Sequence, residues 1–217
     1  MTTQRVTISG DLEGVLALPA GDAKAPTVVV VQEYWGINEQ ITNAATRWAE
    51  AGFIALVPDL YHGKLAKDAA EAQQLMGALD FPKAVGEIAA SVGFLKSHAR
   101  STGKVAVSGY CLGGALTFAA AANIPGLAAA VPFYGLPGDL DWSKVDAPIQ
   151  AHFAKVDNWA TVEGAEKIKA AVKVPMELHV YDAQHAFCNE TRPEVYNADA
   201  CKEAWGRTVA FVRKHTT

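Results

Sequence analysis

Gly109-Tyr110-Cys111-Leu112-Gly113-Gly114 follows the apolar run Val105-Ala106-Val107 and precedes the small-residue run from Ala115 to Ala122. This order predicts a strand, a sharp turn and a helix, with Cys111 at the apex. Glycines two residues either side of an apex tolerate the strained backbone that lifts one side chain at a helix N-terminus. At that position the positive end of the helix dipole favours a thiolate. The competing reading is a small buried cysteine beside a glycine-rich helix start. The coincidence of strand, glycine pair and helix weighs against it.

Working outward, Val6-Thr7-Ile8 and Leu12 to Ala17, split by Gly10-Asp11, predict an opening hairpin. Thr27-Val28-Val29-Val30-Val31 is a continuous β-branched run, the pattern of a strand buried on both faces. Helices are expected at about 39–51, 67–79, 83–98 and 161–172, with a last one starting near Glu194, behind Pro193, and running towards Lys214. Further strands are expected at 53–57, 127–133, from after Pro148 to Ala154, and at 176–181. Short buried strands alternating with helices predict one α/β domain over 1–217, with a mostly parallel central sheet covered by helices on both faces. In such sheets the site lies at the carboxyl ends of the strands.

The chain has 217 residues, half of them hydrophobic and 19% charged, with a formal charge of −4. It has no dense Lys/Arg cluster, which disfavours nucleic-acid binding. No run approaches the ~18 apolar residues of a membrane span. The opening residues lack the apolar core of a secretory signal. The three cysteines (111, 188 and 201) cannot build a disulfide framework without a leftover, and their spacing matches no zinc pattern. The expected compartment is the reducing cytoplasm, where a reactive thiol stays usable.

A nucleophile at one strand end needs a base and an orienting acid from later ones. Asp157 follows the strand ending at Ala154, and His185 follows the strand ending at Tyr181. The chain order nucleophile, acid, histidine is that of α/β-hydrolases. Bland readings stand beside each member: Asp157 as a cap for the helix near Thr161, His185 as a satisfied loop histidine. Asp59 and Asp182 are competing acids. His152 and His179 fall within strands, as packing residues. His179, His185 and Cys188 as metal ligands fit no known spacing, so no metal is expected.

The segment Val31-Gln32-Glu33-Tyr34-Trp35-Gly36 ends the most apolar strand and brings Glu33 to the same edge. A loop here supplies one oxyanion donor in this fold, so the N–H groups of Tyr34 and Leu112 are the expected pair. Glu33 near a thiol could hold its proton; the alternative is an exposed loop acid.

Together these residues resemble the dienelactone hydrolase (carboxymethylenebutenolidase) family. The matching motifs are Gln32-Glu33-x-Trp35-Gly36, Pro58-Asp59-Leu60-Tyr61, Gly109 to Gly114, Phe133-Tyr134-Gly135, Asp157 and His185-x-Phe187. The resemblance implies an α/β-hydrolase fold and a catalytic set of Cys111, Asp157 and His185. In it Glu33 is a gate bonded to the resting thiol, and Trp35, Tyr61, Tyr134 and Phe187 lie at the substrate. It implies hydrolysis of a small activated ester or lactone, as in aromatic-compound degradation, through an acyl-thioester and without a cofactor. The family's two carboxylate-binding arginines are missing: Asn189 and Ala69 stand in their places. That favours a carboxylesterase acting on neutral esters. A different class, a redox-sensing or ligand-binding protein built on Cys111, is kept open by Cys188 as a resolving thiol.

Overall fold

The computed structural model describes residues 1–217 and is built on one eight-stranded sheet. In chain order the elements are β1 (Thr2–Ser9), β2 (Leu12–Leu18), β3 (Ala25–Val31), α1 (Glu39–Glu50), β4 (Ile54–Pro58), α2 (Ala69–Gly77), α3 (Phe81–Ser97) and β5 (Ser101–Tyr110). There follow α4 (Leu112–Asn123), β6 (Ala129–Phe133), β7 (Ile149–Val156), α5 (Val162–Ala171), β8 (Met176–Gln184) and α6 (Ala198–Thr216). The strand order is β1-β2-β4-β3-β5-β6-β7-β8. The first two strands form the antiparallel hairpin expected from the sequence, β2 joins β4 antiparallel, and every later pairing is parallel. The fold is that of an α/β-hydrolase.

Burial follows the sequence pattern. Val28 to Val31 are wholly buried because β3 is covered on both faces. Val28 and Val30 pack against Ile41 and Trp48 of α1 and Ala204 and Val212 of α6. On the opposite face Val29 and Val31 meet Ile88 and Leu95 of α3 and Leu116 of α4. Phe118 of α4 packs with Phe153 of β7 and Ile168 of α5. A helix saturated with small residues, such as α4, can lie this close to the sheet and be buried almost throughout.

Several boundaries depart from expectation: β1 and β5 each begin four residues before the apolar runs that announced them, at Thr2 and Ser101. Strand β8 continues past Tyr181 to Gln184, because β7 also runs on to Val156 and pairs with it there. The last helix starts at Ala198 rather than near Glu194. Residues 189–196 instead form tight turns through Arg192 N–H to Asn189 C=O and Val195 N–H to Arg192 C=O. Asn197 then caps α6 by accepting from Ala200 N–H at 3.1 Å. No helix is long and apolar enough to cross a membrane.

Candidate active site

From β3 the chain passes to β4 on one side, while β5 lies on the other. This is the reversal of strand order at which open parallel sheets leave a crevice. Glu33 leaves the end of β3 and Cys111 the end of β5, so both enter that crevice.

The turn at Cys111 is enforced by backbone proximity. Cys111 has φ +55°, a conformation L-residues rarely adopt. A Cβ at Gly109 would overlap the Gly113 carbonyl, and one at Gly113 would overlap the carbonyl of Val31. Cys111 N–H donates to Phe133 C=O at 3.0 Å, anchoring the turn to the next strand. Leu112 is the first residue of α4, where N–H groups lack intrahelical partners. The N–H of Tyr34 likewise donates to nothing within the chain. Tyr34 is half-buried, and its carbonyl accepts from the Tyr61 hydroxyl at 3.2 Å.

His185 stands immediately after β8. Its Nδ1 is 2.6 Å from Asp157 Oδ2. The other carboxylate oxygen accepts from the N–H groups of Trp159 and Ala160 at 2.8 and 2.9 Å. Asp157 therefore closes its own turn and holds the imidazole, while Thr161 caps α5. Burial disfavours the imidazolium, but the Asp157 hydrogen bond and the adjacent Cys111 sulfur outweigh it and raise the His185 pKa to about 10. The competing acids are occupied elsewhere. Asp59 accepts from Tyr61 N–H and Gly63 N–H, and Asp182 is exposed beside Lys155. His152 is fully buried against Tyr181, Gln150 and Thr208. His179, His185 and Cys188 form no common cluster.

Glu33 is buried rather than an exposed loop acid. Burial pushes its carboxyl above the ordinary range, against lowering by the Asn189 hydrogen bond and by the charges of His185 and Arg192. The resting bond to the thiol is not made. Oε1 accepts from the Tyr134 hydroxyl at 3.3 Å and Oε2 from Asn189 Nδ2 at 2.8 Å. Both oxygens are thus engaged by partners other than Cys111. The residue in the expected arginine's place is itself fully buried and serves Glu33.

Cys188 is disulfide-bonded to Cys201 across a Cα separation of 4.9 Å, leaving Cys111 as the free cysteine. Cys188 is therefore no resolving thiol for Cys111. Cys201, on the buried face of α6, and Cys188 share one core cluster, which is why they meet each other.

A model of the dienelactone hydrolase family matches residues 12–216. The chain belongs to the dienelactone hydrolase family. It is a hydrolase acting on ester bonds. The chain is 36% identical to the protein usf of Aquifex pyrophilus, over 95% of this chain and 94% of that protein. It is 32% identical to a carboxymethylenebutenolidase of Pseudomonas sp. strain P51, over 92% and 88%. Among solved structures, a dienelactone hydrolase-like promiscuous phosphotriesterase, P91, from metagenomic libraries superposes with a TM-score of 0.86. It shares 23% identity, covering all of this chain and 99% of that one, and so bears on fold alone.

Around Cys111 this family member has two clefts, which share Cys111, Trp159 and His185. One, of about 340 Å³, is walled by Glu33, Tyr34, Asp157, Asn158, Gln184 and Arg192. The other, of about 250 Å³, is walled by Met76, Phe81, Leu112, Ala115, Tyr134 and Leu136. Of the expected substrate residues, Tyr134 reaches a cleft wall. Trp35 instead packs edge-on against Tyr34 at 4.7 Å, Tyr61 holds the Tyr34 carbonyl, and Phe187 is buried behind Tyr134 at 5.2 Å. None of these three lines either cleft at Cys111. Sequence reading missed Trp159, Met76, Phe81 and Leu136. Trp159, an exposed tryptophan two residues beyond the candidate acid, was the one legible signal.

Proposed function

We propose that the protein is a cysteine-dependent hydrolase of activated esters or lactones, working through a covalent acyl-thioester on Cys111. The observation that carries this reading is the free sulfur at a strained helix start, sharing one cavity with a histidine held at 2.6 Å by a buried carboxylate. A pKa near 10 keeps the proton on His185 through the neutral range. The sulfur then attacks the carbonyl carbon as a thiolate beside the imidazolium. Negative charge collects on the carbonyl oxygen, which the unpartnered N–H groups of Tyr34 and Leu112 stabilise. The C–O bond breaks as the His185 proton passes to the leaving oxygen. Water then attacks the thioester while neutral His185 accepts its proton, the C–S bond breaks, and the acid leaves. An enol or phenol leaving group helps, because its anion is stable. Glu33 is a buried positioning residue beside this pair. No cofactor takes part in these steps.

A neutral ester is favoured over an anionic lactone. Asn189 is committed to Glu33, Ala69 is exposed at the start of α2, and Arg192, the cation in the cavity wall, is paired with Glu194 at 2.8 Å. A charged substrate would lack the two fixed donors of an arginine. The redox-sensor reading is disfavoured by the engagement of Cys188 with Cys201.

The test is turnover of a dienelactone and of an activated aryl ester by the wild type, Cys111→Ala and His185→Ala. Both variants should fold and lose at least ~10³-fold in kcat/KM. Hydrolysis that persists unchanged in Cys111→Ala would overturn the mechanism. Aryl-ester turnover without dienelactone turnover is the expected substrate pattern.

A further inference from the structure

We propose that the cleft walled by Met76, Phe81, Leu112, Ala115 and Leu136 is the acyl subsite, and that it takes an uncharged apolar acyl chain. The leaving alcohol or enol then occupies the cleft of Glu33, Gln184 and Arg192. This assignment rests on the thioester reading above and adds to it the direction in which a substrate lies.

Both clefts open onto Cys111, so each can receive one arm of an ester whose carbonyl carbon sits at the sulfur. The larger sits at the low end of the ~300–1,000 Å³ of ordinary ligand pockets and the smaller falls below it; together they lie well inside that range. Their chemistry decides which arm goes where. In the second half-reaction, water must reach the carbonyl from the side the leaving oxygen vacated, because the same His185 that protonated that oxygen now deprotonates the water. Water is held where polar groups surround it. Glu33, Asp157, Asn158, Gln184 and Arg192 line the larger cleft, whereas the smaller one offers no ionisable wall beyond Cys111, Tyr134 and His185. The acyl arm, which stays bonded to sulfur through both half-reactions, is therefore assigned to the dry side. There its methylenes gain by leaving water. A terminal carboxylate in that cleft would be stripped of water with no cation to meet it.

Trp159 keeps the two sides apart. It lines both clefts, and its backbone N–H is bonded to Asp157. The carboxylate that orients His185 thus also sets the partition.

A series of p-nitrophenyl esters tests the assignment. From acetate to hexanoate, kcat/KM should rise at least ~10-fold, and the adipate half-ester should fall at least ~10-fold below hexanoate. In Met76→Glu, a substitution on the half-buried face of α2, the hexanoate-to-acetate ratio should collapse towards one. Turnover that is flat or falls with acyl length would overturn the subsite while leaving the hydrolase reading standing. An unchanged ratio in Met76→Glu would do the same. Absence of turnover on every ester would overturn both.

Discussion

The turn at Cys111 and the segment from His185 to Asn197 deliver two halves of one site by different means. The first is fixed within a few residues: Gly109 and Gly113 admit carbonyls of the turn and of β3 at distances that forbid any side chain. The second is fixed by remote partners. Cys188 is tied to Cys201 of α6, Asn189 Nδ2 reaches Glu33, and Asn197 N–H returns to Phe187 C=O at 3.0 Å. The lesson is that the candidate nucleophile sits in an all-or-none backbone turn, whereas its histidine sits in a scaffold that can be weakened by degrees.

Substitutions can break or sharpen that contrast. The largest effect is expected for Gly113→Val, whose side chain would meet the Val31 and Gln32 carbonyls. A cost of at least ~4 kcal/mol is expected, seen as loss of the cooperative thermal transition. A near-normal Tm would show that the turn is not locked. Next comes Asp157→Asn, which removes an acceptor and a charge from His185. Its kcat/KM should fall about 10²–10⁴-fold. The pH profile sharpens this. In the wild type activity should decline as pH rises through about 10, where His185 loses its proton. The variant's declining limb should move to lower pH, because the groups that raise the histidine's pKa have been reduced. A limb that stays in place would separate Asp157 from His185.

The smallest effect is expected for Cys201→Ala. Opening the 13-residue link removes about 3 kcal/mol or less, a fall in Tm of roughly 6–12 °C, with kcat/KM reduced less than ~10-fold. A loss as complete as that of Gly113→Val would erase the distinction between the two regions.

The same contrast explains what was readable in the sequence. The parallel sheet, the hairpin and the turn at Cys111 were legible because local patterns dictate them: the β-branched run at 27–31 and the glycine spacing around 111 leave few alternatives. Asp157 and His185 were legible from strand order. The partners of Glu33 were not, since the Asn189 amide reaches it from 156 residues away. Nor was the late start of α6, where Asn197 wins the capping position after a series of turns. The apolar cleft gathers Met76 and Phe81 from around the α2–α3 junction with Leu136 from beyond β6. No spacing in the chain announces such a convergence.

The most direct test of a covalent role for Cys111 is intact and peptide mass analysis after brief mixing with an activated aryl ester at low pH, where deacylation by neutral His185 is slow. The expected result is one acyl group per chain, on the peptide containing Cys111, absent from Cys111→Ala and discharged on raising the pH. Rapid ester turnover with no adduct, or with the acyl group on another residue, would contradict the account.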